Sequence, residues 1–167
     1  MKDNIMRAIK IEKIILNSGA TADKLEKAVK LLNKISGKKS IKKKAKMRIP
    51  TLGVRPGLEI SCMVTIRKNP EEMLKRLLTA KENKLSKRAI AENHFSFGIK
   101  EYIEIPGMDY QRDIGLMGLD VTVVFVRSGR RVSLRKIKKT HIPKRQHVSK
   151  EEIIKFMEEK IGTKFIR

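Results

Sequence analysis

Apolar positions recur along this chain with two periods, and the switches between them outline its elements. Ile9, Ile11 and Ile15 fall on one side of the stretch 9–16, with Lys10 and Glu12 opposite. That alternation predicts a first strand, ended by Asn17-Ser18-Gly19. Residues 1–8 show neither period and are expected to be frayed. Leu25, Ala28, Val29, Leu32 and Ile35 follow at helical spacing, with Thr21 as a candidate cap and Gly37 as terminator. Leu58, Ile60, Cys62, Val64 and Ile66 then alternate with Glu59, Ser61, Met63, Thr65 and Arg67, the pattern of a half-buried strand.

The second half repeats these signals. Asn69-Pro70-Glu71-Glu72 reads as a helix start, with Asn as cap, Pro at the first helical position and Glu as a capping-box partner. Met73, Leu74, Leu77 and Leu78 supply its buried face, and a broken helix or loop is expected from there to Glu92. Phe95, Phe97 and Ile99 alternate, Ile103 and Ile105 resume the pattern, and Pro106-Gly107 turns the chain into a connector over Met108–Gly118. Leu119, Val121, Val123 and Phe125 face one way while Val124 and Val126 are apolar on the other, which predicts a central strand. Ser149-Lys150-Glu151-Glu152 is a capping box opening a last helix, with Ile153, Phe156, Met157 and Ile161 inward and Gly162 as its stop.

Strands and helices interleave, yet the turns favour hairpins over repeated helical crossovers. The expected class is α+β: one domain over 1–167, an antiparallel or mixed sheet with helices packed on one face and a protruding basic β-hairpin loop. Its core is expected over about 7–126, followed by a basic segment and C-terminal helix over 127–162.

Charge changes the picture. The chain of 167 residues carries 40 Lys+Arg against 18 Asp+Glu, a formal charge of +22. Such an excess calls for a counter-charge, nucleic acid first and an anionic membrane surface second. The cations are concentrated. Seven lie between Lys38 and Arg48 with no acid, on the outgoing arm of the hairpin whose tip is punctuated by Pro50, Gly53, Pro56 and Gly57. Nine more lie between Arg127 and Arg145, inside a stretch from Val121 to Ser149 that also lacks any acid. A single Lys run is ordinarily a solvated face; two acid-free runs, one on a braced hairpin, point to a polyanion.

Chemistry is hard to find. The single cysteine, Cys62, sits on the apolar side of a strand and reads as core, with no intrachain disulfide open to it. His94, His141 and His147 are isolated in sequence, no Gly-rich phosphate fingerprint is present, and no Cys/His set has metal spacing. Phe95-Ser96-Phe97 reads as core rather than a base-stacking ribbon, because aromatics are only 4% and Trp is absent. The amino terminus lacks a continuous apolar signal, and no run approaches the roughly 20 apolar residues of a membrane span, so a soluble intracellular chain is expected. An RNA-modifying or processing enzyme with a basic platform and a protein of the membrane surface are the alternatives; neither has a motif of its own here.

Several segments carry a family resemblance. They are Ile-Ser-Gly-Lys-Lys at 35–39, Lys-Ala-Lys-Met-Arg at 44–48 and Gly-Val-Arg-Pro-Gly at 53–57. Phe-Ser-Phe-Gly-Ile-Lys-Glu-Tyr at 95–102 and Ile-Gly-Leu-Met-Gly-Leu-Asp-Val-Thr-Val at 114–123 follow, then Val-Arg-Ser-Gly-Arg-Arg-Val at 126–132 and Ile-Pro-Lys-Arg-Gln-His-Val-Ser-Lys-Glu-Glu at 142–152. In this order they resemble the universal "L-five" family of the large ribosomal subunit, in its archaeal and eukaryotic branch, over roughly residues 7–162. The chain departs from the family pattern at Asn93-His94, where Gly-Asn is usual, at Met117, and at Arg145-Gln146-His147. Asn tolerates positive φ, so the turn at Asn93 is expected to survive.

The resemblance implies a structural protein of the large subunit's central protuberance, in the cytoplasmic ribosome, with no enzymatic activity and no cofactor. It implies contact with 5S rRNA through the sheet edge and adjoining loops, for which Asn17, Ser18, Lys39, Lys42, Lys44 and Lys46 are the choices. Arg127, Arg130, Arg131, Arg135, Lys136, Lys138 and Lys139 are the choices for rRNA contact by the second basic region, with 23S rRNA as its target. The tip over 47–57 would approach the P-site tRNA through Arg48, Thr51, Leu52, Gly53, Val54 and Arg55. A small-subunit head protein and neighbouring large-subunit proteins complete the implied partners, and no membrane is among them.

Overall fold

The computed structural model describes residues 4–166. Its strands are β1 (Ile9–Gly19), β2 (Ile41–Lys44), β3 (Glu59–Ile66), β4 (Lys84–Ser86), β5 (Ile90–Ala91), β6 (His94–Ile99), β7 (Leu119–Arg127) and β8 (Lys164–Ile166). Its helices are α1 (Asp23–Ser36), α2 (Pro70–Thr79), the single turn α3 (Arg131–Leu134) and α4 (Lys150–Ile161). Six strands form one antiparallel sheet in the order β2-β3-β1-β7-β6-β5, while β4 and β8 make a separate parallel pair. The expected α+β class and the central place of β7 are both observed.

Alternation decides which face each strand buries. Cys62, Val64 and Ile66 of β3, Phe95, Phe97 and Ile99 of β6, and Leu119, Val121, Val123 and Phe125 of β7 all point into one core. Leu25, Ala28, Leu31, Leu32 and Ile35 of α1, Leu74, Leu77 and Leu78 of α2, and Ile153, Phe156 and Met157 of α4 cover that face. Each Val, Leu, Ile, Phe or Met side chain among them contributes roughly 1.5–3 kcal/mol on burial. The ring of Phe125 stacks on Phe95 at 5.7 Å and meets the edge of Phe156 at 5.6 Å, so α4 closes the same core as the sheet. The core therefore extends past the expected limit near 126, to Val148 and α4.

Several local expectations are corrected. A bulge between Ile11 and Lys13 shifts the register of β1, so Ile14 and Leu16 enter the core and Ile15 turns to the other face. The strand ends at Gly19, as expected, but Asn17, Ser18 and Gly19 all still pair with β3. Thr21 does not cap α1: Ala22 stands before the helix at φ 50° with no side-chain cap. Asn69 likewise adopts a left-handed conformation with no capping bond, although Pro70 does begin α2. The stretch to Glu92, expected as a broken helix or loop, holds turns, the short strands β4 and β5 and a 3-10 turn at Lys87–Ala89 between them. Ile103 and Ile105 do not resume a strand, because a 3-10 turn at Tyr102–Glu104 intervenes. Its Tyr102 is fully buried, and the hydroxyl accepts a 2.8 Å bond from the Gln111 backbone N–H.

Other expectations hold. The Ser149–Glu152 capping box is formed in both directions. Asn93 lies at φ 64°, as its tolerance of that region allows, and its side chain adds a clasp: Oδ1 accepts from the Val148 N–H at 2.8 Å. Gly118 is required by close approach rather than conformation. A Cβ there would stand 2.7 Å from the Lys100 carbonyl oxygen and 2.9 Å from that of Ile99.

Candidate nucleic-acid interface

Three surfaces carry the predicted site residues. The first is the sheet face away from the helices, with its edge strand. Alternation puts Asn17, Met63, Thr65 and Thr122 on this face, opposite the buried set. Asn17 is half-buried in register with Asp120, so an acid shares this part of the face. Ser18 points the other way. It is only 2% exposed, and its hydroxyl donates to the Gly118 carbonyl at 3.0 Å, so its side chain positions the neighbouring loop and offers nothing outward. All four residues of β2 are exposed. Lys42 forms a 3.3 Å ion pair with Glu59, whereas Lys39, Lys44 and Lys46 stand exposed without a salt bridge among the described residues.

The second surface is the hairpin tip. Backbone bonds close its neck, from Ala45 N–H to Leu58 O at 2.8 Å and from Gly57 N–H to Ala45 O at 2.9 Å. A bridge between Ile49 and Val54 then closes the tip around a 3-10 turn at Pro50–Leu52, with Gly53 in the left-handed region. Arg48, Thr51, Leu52, Gly53 and Arg55 are exposed, Leu52 by 74% and neighbouring Met47 by 77%. Val54 is not: it is 8% exposed and anchors the tip from within.

The third surface is a strap over 128–147, which leaves β7, turns through α3 and returns to α4. Two of its predicted contact residues hold it in place. Arg127 pairs with Glu152 of α4, and Arg130 pairs with Glu12 of β1. Burial would raise the Glu152 carboxyl, but the Ser149 backbone N–H and the Arg127 guanidinium outweigh it and hold the pKa below the usual glutamate value. Arg135 Nε donates to the Lys138 carbonyl at 2.7 Å, and the Thr140 N–H bonds the Val132 carbonyl at 3.3 Å, so residues 132–140 form a closed loop. Arg131, Arg135, Lys136, Lys138 and Lys139 are exposed on it.

The three histidines that look isolated in sequence meet here. His94, His141 and His147 line one groove between the strap and the ends of β6 and β7, with Arg130 and Lys139. His147 Nδ1 lies 3.8 Å from Glu92. No group of three or more His, Cys, Asp or Glu among the described residues has metal-binding geometry. Cys62 is fully buried and burial pushes its thiol pKa up, which is the state of a core residue. No helix among the described residues is long and apolar enough to cross a membrane.

Two family profiles match this chain in succession. One, described as "Ribosomal protein L5", covers residues 4–55, and the other, which describes the C-terminus of the same ribosomal family, covers 59–156. The chain belongs to this ribosomal L5 family. The family consists of structural ribosomal proteins, not enzymes, and its setting is the large subunit of the cytoplasmic ribosome. Archaeal relatives extend the likeness over nearly the whole length. The "Large ribosomal subunit protein uL5" of Nanoarchaeum equitans is 42% identical over 96% of this chain and 98% of its own. Those of Archaeoglobus fulgidus and Sulfurisphaera tokodaii are each 39% identical, covering 93% and 98% of this chain and 89% and 95% of theirs. The two matched L5 segments do not fold apart here. β1 and β2 come from the first, and β3 from the second lies between them in the sheet.

Proposed function

We propose that this L5-family chain binds 5S rRNA through the β2 edge, Asn17 and the exposed lysines Lys39, Lys44 and Lys46. The observation that carries this is a row of cations on a solvent-facing strand edge, continuous with the sheet face opposite the one that the described helices pack on. Lysines on an edge strand also discourage sheet-to-sheet pairing, so charge alone would not decide the matter; family membership supplies the polyanion. Lys and Arg neutralise phosphates and release counterions, which gives affinity with little sequence choice. Selectivity then comes from the shape of the folded RNA. Arg131, Arg135, Lys136, Lys138 and Lys139 of the strap meet 23S rRNA in the same way. The tip over 47–57 reaches the P-site tRNA with its exposed Arg48, Leu52 and Arg55, and its internal bonds limit the ordering cost of that contact. A further face meets a protein of the small-subunit head.

The purified chain titrated with 5S rRNA and with an unrelated RNA of equal length tests this directly. Selective binding of 5S rRNA is expected, and equal affinity for both would count heavily against it. Lys42→Ala with Lys44→Ala should lower the salt slope of log K by about 0.7–0.9 for each phosphate no longer neutralised. Lys42 already faces Glu59, so the Lys44 component should be the larger.

A further inference from the structure

The closed loop of the strap presents more than charge. Leu134 is 64% exposed and Ile137 79%, and Val132, at the loop's closing bond, is 37% exposed. Phosphates alone would give no return for three outward aliphatic side chains. A partner that covers Leu134 and Ile137 takes their apolar surface out of water, which favours binding. Arg131, Arg135, Lys136 and Lys138 are exposed on the same loop, and no acidic residue lies between Val121 and Ser149 along the chain. A ligand that covers this loop would be strongly anionic and apolar in one place.

Folded RNA meets both demands where a base leaves its stack. In a regular A-form duplex the base faces are hidden and only phosphates, 2′-hydroxyls and base edges are offered. At a bulge or loop the flat face of a base is open and can pack against a side chain. The loop is set before any partner arrives, by the Arg135–Lys138 and Thr140–Val132 bonds and by the ion pairs of Arg127 and Arg130.

We infer that residues 132–138 form an apolar-centred, cation-rimmed site for an unstacked nucleotide of ribosomal RNA, with Leu134 and Ile137 covering the base and the surrounding Lys and Arg holding the flanking phosphates. The inference rests on the proposed rRNA contact of the strap and specifies what that contact recognises. An acidic protein with an apolar socket is the competing occupant, disfavoured by the number of carboxylates it would have to supply opposite one small loop.

Photocrosslinking in assembled particles tests it. Ile137, and separately Leu134, is replaced by p-benzoylphenylalanine in the full chain, large subunits are reconstituted, and crosslinked sites are mapped after irradiation. Crosslinks to unpaired rRNA nucleotides are expected from both positions. Crosslinks confined to paired nucleotides or to a protein, or none from either position, would overturn the inference. The underlying rRNA contact is judged apart from this, by titrating 23S rRNA at several salt concentrations. Lys136→Ala with Lys138→Ala should lower the salt slope of log K by about 0.7–0.9 per phosphate released. Leu134→Ala with Ile137→Ala should weaken binding about tenfold at an unchanged slope. A Lys pair that moves the slope while the aliphatic pair changes nothing would leave the strap as an rRNA contact and remove the nucleotide site.

Discussion

The hairpin tip and the strap are both cationic, both lack acids and both expose aliphatic side chains, yet they are held in shape by different means. The tip is fixed by its own backbone, through the Ala45–Leu58 and Gly57–Ala45 bonds and the Ile49–Val54 bridge. Its charged side chains remain outside. The strap has a closed loop at its end but is tied to the body by two of its flanking arginines, which reach Glu152 and Glu12. A run of positive charge in a sequence thus does not offer all of its cations to a ligand. Nine Lys/Arg between Arg127 and Arg145 become seven once the two fasteners are set aside.

The sharpest way to break this contrast is to cut the fasteners. Arg127→Ala with Arg130→Ala leaves Glu152 and Glu12 without their partners, at a cost of about 2–3 kcal/mol, discounted because Glu152 is well exposed. Denaturant unfolding should report the loss. Hydrogen exchange should quicken across 128–147 and stay unchanged across 45–58, and equal loosening of both would show that they are not independently held.

A smaller effect of the opposite kind is expected at the tip. Gly57 lies at φ 86°, where an L-residue is strained by roughly 1–2 kcal/mol, so Gly57→Ala should loosen the tip's amides and leave the strap protected. Asn93→Gly should keep the turn at positive φ but lose the bond to the Val148 N–H, for about 1 kcal/mol by thermal or chemical unfolding.

The smallest effect is one of pH. The folded-state pKa of Glu152 lies below its ordinary value of 4.5, so its pairing adds stability above that value and loses it as pH falls through the depressed one. Glu152→Gln should be less stable than the parent at neutral pH, and the gap should close on acidification. A gap that widens in acid would mean that the Ser149 N–H and Arg127 do not hold this carboxyl below its ordinary value.

How much of this could be read from the chain follows the range of the interactions. The alternation of β3 from Cys62 onward, that of β7 and the Ser149 capping box are local, and they are found where the pattern puts them, whereas Leu58 lies before β3 and is exposed. The bulge in β1 is illegible in the sequence because Ile14 and Ile15 are both isoleucine, and only pairing with β7 decides which turns inward. Ala22 and Asn69 occupy positive φ at helix entries where good capping residues stand nearby, so tertiary geometry overrides propensity. The β4–β8 pair joins residues 80 positions apart and has no local signal. At the interface, the charge runs are visible, but the internal roles of Ser18, Arg127, Arg130 and Val54 are not. Each depends on a partner that only folding brings near, namely the Gly118 carbonyl, Glu152, Glu12 and the closed tip.

The place of β1 in the sheet also bears on biosynthesis. One flank of β1 is completed by β3, but the other waits for β7, about a hundred residues later in the chain. A nascent polypeptide that has emerged only as far as α2 must therefore carry an unfilled row of peptide groups along one side of its earliest strand. Such pairing between distant parts of the chain slows folding and leaves a sticky edge open meanwhile. Shielding that edge until residue 127 has left the exit tunnel is a requirement that the topology imposes on the cell making the protein.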